Sequence, residues 1–320
     1  RFAYSRKAVH NQQGQQCSMS ERVAIIRNRF AGQGKSSLVD RIAEKLRRGG
    51  QHVRMLDTEY AGHATELATK IAATGEADVI VAAGGDGTIR EVAEGAYGHK
   101  VPVGIIPAGS ANVLARELGY MKSGQVSARH VANALLSRDI VDLYPFEVER
   151  DGRVQLGLCW VGVGFDAEVL RNVSPSLKEK IGRASFVPAI IQALVGDSSL
   201  PDITWHMHRN TKGTCGWALL SNIRRYAGPF IVTKKTTYNS HGLACLMSQG
   251  HGAWPRILDQ LAIGLRRFDK RAGVWVLEKA TLHLGSDQTP VQMDGDFLGF
   301  GEVAVTPKKH PLPFRAFVRR

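Results

Sequence analysis

Asp78-Val79-Ile80-Val81-Ala82-Ala83-Gly84-Gly85-Asp86-Gly87-Thr88-Ile89-Arg90-Glu91 is the stretch that decides the fold. Its first half is a short apolar run rich in β-branched residues, which is typical of a buried strand. Three glycines follow within five residues, and Ile89 to Tyr97 continues with helical spacing. This order predicts an anion site, because glycine lets the backbone approach an anion and a helix N-terminus presents free N–H groups. Since a carboxylate repels phosphate unless a cation mediates, Asp86 indicates a magnesium nucleotide.

A second turn of the same kind lies one unit further along the chain. The strand Val103–Ile106 leads into Pro107-Ala108-Gly109-Ser110-Ala111-Asn112, and a helix is predicted from Val113 to Gly119. One glycine cluster alone is compatible with an ordinary β-to-α turn in a doubly wound sheet. Two such turns, at the carboxyl ends of neighbouring strands, predict one crevice that binds a ligand.

These two motifs resemble the catalytic domain of diacylglycerol-kinase-type lipid kinases. The likeness rests on Gly-Gly-Asp-Gly-Thr-Ile-Arg-Glu-Val, then Pro-Ala-Gly-Ser-Ala-Asn, then Ala-Arg-Glu-Leu-Gly. It runs in motif order from about Arg22 to the C-terminus. The group includes bacterial diacylglycerol kinases, sphingosine kinases and ceramide kinases. The resemblance implies an ATP- and Mg²⁺-dependent kinase that phosphorylates a hydroxyl of a membrane lipid of the diacylglycerol, sphingoid or ceramide type.

The resemblance also implies an α/β plus β fold of the NAD kinase/diacylglycerol kinase-like, two-domain type. We expect a Rossmann-like α/β nucleotide-binding domain over residues 21–144 and a β-sandwich-like lipid-substrate domain over residues 145–307. Residues 1–20 are interpreted as a disordered or cloning-derived tail. Residues 308–320 are expected to pack back on the first domain, and Phe314–Val318 alternates like an edge strand.

The composition favours an anionic partner. Lys and Arg number 42 against 29 acidic residues, a formal net charge of +13. The basic residues lie in short, scattered clusters without interleaved aromatics, so we expect an anionic membrane surface and no nucleic acid. The four cysteines are widely spaced and no signal peptide is recognisable, which favours a reducing cytosol. We therefore expect a cytoplasmic protein, peripheral at the inner membrane face, and a homodimer remains open.

A set of residues is assigned to ATP by the resemblance. These residues are Asn28, Thr58, Gly85, Asp86, Gly87, Thr88, Ile89, Arg90, Glu91 and Ser110. A role for Thr58 as the cap of the next helix is an equal alternative. The stretch Gly32–Ser36 suggests a Walker loop, but Arg29 stands where the first glycine of that motif belongs, so we reject this motif.

Asp294-Gly295-Asp296 is the candidate for the catalytic base. On extended backbone its two carboxylates would share a face and perturb each other's pKa, whereas a plain β-turn is the alternative. The related kinases carry Asp-Gly-Glu here and use the glutamate as proton acceptor, so the resemblance assigns the role to Asp296. Its side chain is one methylene shorter, and Asp86 is the rival base.

One departure from the family concerns metal binding. His241-Gly242 stands where relatives carry an Asp-Gly whose aspartate helps to bind a structural magnesium. Because histidine is a poor ligand for Mg²⁺, we expect no structural magnesium there. Two other functions remain open. An NAD kinase shares Gly-Gly-Asp-Gly-Thr, but its downstream motifs are not found, and a catalytically silent nucleotide- or lipid-binding protein would tolerate both departures.

Overall fold

A computed structural model of the chain describes residues 20–29, 36–121, 124–173, 186–195, 202–207, 211–250 and 252–317. The predicted tail lies outside the described residues, apart from Ser20. Three six-stranded sheets and one two-stranded ribbon make up the strand structure of this part of the chain.

The first sheet has the order β2-β1-β3-β4-β20-β5. Its strands are β1 (Arg22–Arg27), β2 (His52–Asp57), β3 (Val79–Gly84), β4 (Val103–Pro107), β5 (Ile140–Leu143) and β20 (Leu312–Arg315). The connecting helices are α1 (Ser36–Arg48), α2 (His63–Thr74), α3 (Asp86–Ala96), α4 (Val113–Glu117) and α5 (Ala128–Leu136). All six residues of β3 are buried, as expected for the central strand of a sheet covered on both faces.

The position of β20 differs from the sequence expectation. The strand lies between β4 and β5, so the prediction of an edge strand is wrong. Leu312 and Phe314 are fully buried, and Phe314 pairs with Val103 of β4 and Val141 of β5. The alternation of apolar and polar residues reports which faces of a strand are covered. It carries no information on whether both edges are paired.

The remaining strands form two antiparallel sheets, β10-β9-β16-β19-β6-β7 and β15-β14-β11-β8-β17-β18, and the ribbon β12-β13. Their ranges are β6 (Phe146–Arg150), β7 (Arg153–Gly157), β8 (Trp160–Val163), β9 (Ile203–Met207), β10 (Thr211–Cys215), β11 (Trp217–Ser221), β12 (Arg225–Tyr226), β13 (Phe230–Ile231), β14 (Leu243–Ser248), β15 (Gly273–Leu277), β16 (Leu282–Leu284), β17 (Pro290–Met293), β18 (Asp296–Phe300) and β19 (Val303–Pro307). The helices here are α6 (Phe165–Arg171), α7 (Phe186–Val195), α8 (Ala253–Gly264) and α9 (Phe268–Arg271).

In the sequence, Asp151-Gly152 separates Phe146–Arg150 from Val154–Val163, which predicts two strands joined by a tight turn. The second predicted strand is two strands in different sheets. Residues 158 and 159 interrupt it, so β7 joins one antiparallel sheet and β8 the other. The preceding turn at Asp151-Gly152 is as predicted, with positive φ at both residues (51° and 71°), the signature of a tight hairpin turn. The domain boundary at 144/145 stays a prediction. It is supported by β5 and β6, consecutive strands that belong to different sheets.

None of the helices in the described residues is long and apolar enough to cross a membrane. The three described cysteines, Cys159, Cys215 and Cys245, are buried free thiols. Cys17 lies outside the described residues.

Candidate active site

The two glycine turns touch each other. A Cβ placed on Gly109 would lie 2.5 Å from the Cα of Gly85, closer than real Cβ contacts allow. The N–H groups of Ala108 and Gly109 donate to the carbonyl oxygen of Gly84 at 2.9 and 3.2 Å. This contact follows from the strand order, because β3 and β4 are parallel neighbours and both turns leave the same edge of the sheet.

Asp86 connects the first turn to the second. Its Oδ1 accepts hydrogen bonds from the N–H groups of Val113 (2.8 Å) and Leu114 (3.3 Å), at the first turn of α4. Burial raises the pKa of this carboxyl to about 6, although the bonds from α4 oppose the rise. Asp86 therefore acts as an N-terminal cap for a helix that begins 27 residues later.

Asp294-Gly295 is the plain β-turn that the sequence left as the alternative, and not a piece of extended backbone. Asp294 and Gly295 form the turn of the β17–β18 hairpin and have positive φ values of 52° and 93°, so the rule for extended backbone does not apply. The buried Asp294 carboxylate accepts N–H bonds from Leu158, Cys159 and Trp160 at 2.8–2.9 Å. These bonds stabilise the segment in which β7 ends and β8 begins. Burial raises the pKa of Asp294. The negative charge of Asp294 contributes to the raised pKa of Asp86.

Asp296 lies over the first turn of α3. A Cβ placed on Gly87 would be 3.3 Å from its Oδ2, so the glycine leaves room for this carboxylate. The Arg90 guanidinium approaches the same oxygen at 3.5 Å and Glu94 at 3.9 Å. Arg90 is 9% exposed, and its Nε has no hydrogen-bond partner. A buried cation with an unused donor therefore lies beside the Asp296 carboxylate.

A cleft of about 210 Å³ separates the turns from the β17–β18 hairpin. The side of the first sheet contributes Gly85, Asp86, Gly87, Ser110, Ala111 and Val113. The opposite wall consists of Trp160, Leu170, Tyr226, Ala227, Gln292, Asp294, Gly295 and Asp296. Both candidate bases, Asp86 and Asp296, thus line the same cleft from opposite sides.

A buried network behind the cleft was not predicted as functional. The Asp166 carboxylate accepts hydrogen bonds from the Tyr226 hydroxyl and the Gln292 amide. Burial raises its pKa to about 7, although the bond from Gln292 opposes the rise. A Cβ on Gly162 would clash with this carboxylate. The available sequence signal is Gly-Phe-Asp-Ala at residues 164–167, and this local pattern does not indicate a position beside the cleft.

The other residues assigned to ATP lie near the cleft or in the core. The Asn28 amide donates to the Thr88 hydroxyl at 3.3 Å, next to the end of β3. Ile89 is fully buried in the core. Glu91 accepts a bond from the N–H of Ala64 at 3.3 Å. Thr58 is buried, and the alternative role for it is wrong, because Gly62 occupies the N-cap position of α2. Their roles toward ATP stay predictions.

His241, where the family would carry aspartate, packs its ring against Tyr144 with 3.9 Å between the ring centroids. The expectation about a structural magnesium here stays a prediction.

Residues 22–142 match the model of the diacylglycerol kinase catalytic domain. This match places both glycine turns inside that domain. The chain carries a diacylglycerol kinase catalytic domain. The resemblance drawn from the motifs is thereby confirmed over residues 22–142, and this domain is by its family a kinase domain.

Relatives of this domain are similar over part of their length. The Bacillus subtilis "Diacylglycerol kinase" is 40% identical over 148 residues, which covers 45% of this chain and 46% of the relative. A "Probable lipid kinase YegS-like" of Pseudomonas fluorescens is 30% identical over 201 residues, which covers 59% and 62%. The chain therefore spans between about half and three fifths of the length of these two relatives.

The fold is shared with a solved structure. A diacylglycerol kinase from Bacillus anthracis str. Sterne superposes with a TM-score of 0.71 at 17% identity, over 93% of this chain and 97% of that chain. At this identity the likeness establishes the mixed α/β and β fold of the diacylglycerol kinase domain.

Proposed function

We propose that the chain is a lipid kinase that transfers the γ-phosphate of ATP to a hydroxyl of a membrane lipid. The observation that carries the proposal is the meeting of two glycine turns and the Asp296 carboxylate around one cleft, with the buried Arg90 next to that carboxylate. The kinase domain and the lipid-kinase relatives support the same conclusion. Diacylglycerol, sphingoid and ceramide acceptors are all compatible with it, as is a cytoplasmic location at the membrane surface.

The residues around the cleft fit ATP and Mg²⁺. Gly85 is the N-cap residue of the 11-residue α3 and has no side chain, so the N-terminus of this helix is open to a phosphate. The unused Nε of Arg90 adds a buried cationic donor. Asp86 and Asp296 offer the carboxylate oxygens that Mg²⁺ prefers. Bound Mg²⁺ would neutralise phosphate charge during the transfer.

The two carboxylates support different roles. Asp86 has one oxygen engaged by Val113 and Leu114, so it is held as a helix cap. Asp296 has no such tie to a helix, is exposed to the cleft, and lies 3.5 Å from the Arg90 guanidinium. We therefore assign to Asp296 the acceptance of the proton from the lipid hydroxyl, and to Asp86 the alignment of the two turns.

The test is phosphorylation of a total lipid extract with radiolabelled ATP. Wild-type protein is expected to give a labelled lipid, and Asp296→Asn to reduce turnover about 10²–10⁴-fold with little change in ATP affinity. Asp287→Asn, an exposed acidic residue outside the cleft, is the matched control. Full turnover in Asp296→Asn together with its loss in Asp86→Asn would move the base to Asp86.

The two alternatives give different outcomes in the same assay. Labelled NADP from added NAD would identify an NAD kinase. ATP binding without transfer to any acceptor would identify a catalytically silent protein.

A further inference from the structure

Helix α8 buries charged residues and exposes apolar ones. Arg256 and Asp259 are only 2% and 1% exposed. The apolar residues of the opposite side are Trp254, Leu258, Leu261 and Leu265, the last directly after the helix, with exposures of 76%, 46%, 57% and 69%. Their spacing of four, three and four residues places them on one side of the helix, here named the apolar face. A helix on a water-exposed surface normally has the reverse arrangement.

Buried polar contacts fix this orientation. Asp259 accepts hydrogen bonds from the Trp217 indole (2.9 Å) and the Ser248 hydroxyl (2.6 Å), and pairs with Arg271 (2.5 Å). The Arg256 guanidinium lies 5.5 Å from the centre of the Phe165 ring. Rotation of the apolar face toward the core would break these contacts and leave buried charges without partners, which is strongly unfavourable. The apolar face is therefore held outward.

Two elements that pack against α8 also expose apolar side chains. Helix α7 packs against α8 and exposes Ile191, and β13 packs against α8 and exposes Phe230. Single exposed apolar side chains are common on protein surfaces. A contiguous group of them indicates a surface that another molecule covers.

The charge next to the apolar face indicates which molecule this is. Residues 264–271 contain four basic residues and one acidic residue, Asp269. Arg266, Arg267 and Lys270 are exposed, immediately after Leu265. Tryptophan and leucine on one side of a helix, with arginine and lysine beside them, are typical of helices that lie in the interface of an anionic bilayer. The net charge of +13 acts in the same direction.

We propose that the apolar face of α8, with Arg266, Arg267 and Lys270, docks on an anionic lipid bilayer. The ribbon β12-β13 connects this surface to the cleft, because Tyr226 and Ala227 line the cleft and Phe230 lies beside α8. Docking brings the β-rich wall of the cleft close to the bilayer. The delivery of an acceptor lipid to the cleft rests on the proposed kinase function, whereas the docking does not.

Vesicle co-sedimentation of the full chain tests the apolar contribution. Vesicles of equal parts phosphatidylcholine and phosphatidylglycerol are the probe. Leu258→Gln/Leu261→Gln is expected to lower the partition coefficient at least about tenfold, because two apolar side chains no longer enter the interface. Val154→Gln, an isolated exposed apolar residue on β7, is the matched control and should bind as the wild type does. Equal binding of the double variant and the wild type would refute the proposal.

The charge contribution has its own test. Arg266→Gln/Arg267→Gln should weaken binding about twentyfold on the anionic vesicles and leave binding to pure phosphatidylcholine unchanged. Arg47→Gln/Arg48→Gln makes the same charge change on α1 and should have little effect. Equal losses in both variants would show that net charge, and not this surface, drives binding.

Two measurements separate the other outcomes. If light scattering shows a wild-type dimer that Leu258→Gln/Leu261→Gln turns into a monomer with full vesicle binding, the apolar face is a dimer contact and the proposal is wrong. Phosphorylation of a water-soluble short-chain acceptor reports on the kinase function. Vesicle binding without any phosphorylation would reject the kinase function and support the docking surface. Phosphorylation without vesicle binding would support the kinase function and reject the docking surface.

Discussion

At the scale of single residues, the cleft contains carboxylates held in different environments. The Asp86 oxygen caps α4, Asp294 is surrounded by three N–H donors, and Asp296 faces the cleft beside Arg90. Asp166 is buried behind the cleft with a tyrosine hydroxyl and an amide as partners. All four groups are aspartate carboxyls. The environment of each one therefore decides whether it can exchange a proton with a substrate.

The raised pKa of Asp166 predicts a pH-dependent stability. Its folded-state pKa of about 7 lies above the ordinary value of 3.8, so the folded protein holds the proton longer than the unfolded chain. This group therefore lowers the free energy of unfolding as the pH rises from about 4 to 7, by at most about 1.4 kcal/mol per pH unit. Asp166→Asn should flatten that fall in urea unfolding at pH 5 and 7. An identical slope in wild type and variant would contradict this role.

The contact between Gly85 and Gly109 predicts a strong effect of one methyl group. In Gly109→Ala the new Cβ would lie 2.5 Å from the Gly85 backbone, so one turn must move. We expect ATP affinity to fall at least about tenfold, because the turns must align to hold phosphate. Gly264→Ala is the control, since its Cβ meets nothing within 4 Å; it should bind ATP normally and gain up to about 1 kcal/mol in stability. Calorimetric ATP titration compares the two, and normal affinity in Gly109→Ala would remove the phosphate role from this contact.

At the scale of elements, a buried carboxylate links α4 to β12. Glu117 is almost fully buried and pairs with Arg224 at 3.1 Å and Arg225 at 3.3 Å. It belongs to the Ala-Arg-Glu-Leu-Gly motif, one of the three motifs that carry the family resemblance. No ion pair of Glu117 was predicted from that motif. These ion pairs hold one wall of the cleft against the other, because Tyr226 follows directly in the chain and lines the cleft.

This cluster predicts that loss of the buried ion pairs of Glu117 destabilises the protein more than loss of an exposed ion pair. Arg224→Ala/Arg225→Ala leaves the Glu117 carboxylate buried without a cation and should destabilise the protein by about 3 kcal/mol in urea unfolding. Arg22→Ala, which breaks an exposed pair with Asp78, should cost much less, because water screens an exposed ion pair. Similar costs in the two variants would mean that the Glu117 cluster is no stronger than a surface ion pair.

At the scale of the whole molecule, the C-terminal strand completes the first sheet. β20 separates β4 from β5, so a segment about 200 residues distant in sequence pairs with both. The Tyr120 hydroxyl donates to the carbonyl of Arg315, and the Arg315 guanidinium bonds Glu21 at 2.6 Å. The first sheet is therefore incomplete until the last strand is in place.

Phe314→Ala tests this dependence. Removal of a fully buried ring between two strands should cost about 3–5 kcal/mol of unfolding free energy. Leu265→Ala, at a position that is 69% exposed, serves as the control and should cost less than about 1 kcal/mol, because changes at exposed positions away from the core cost little. A loss below about 1 kcal/mol for Phe314→Ala would show that the N-terminal strands are stable without β20.

The sequence by itself determined the elements that depend on local order. The strand–glycine–helix units around Asp86 and Gly109 and the turn at Asp151-Gly152 could be predicted, because their cause is the spacing and conformational preference of adjacent residues. The kinase family followed from the same local motifs.

The tertiary structure alone decided the rest. The separation of Asp294 from Asp296, the interior position of β20, the Asp166 network and the outward apolar face of α8 depend on partners remote in the chain. Asp294 meets Leu158 across 136 positions, and Asp259 meets Trp217 across 42. Periodicity describes which side of an element is apolar. Whether a carboxylate is buried, and which partner then compensates for its burial, depends on which remote parts of the chain pack against it.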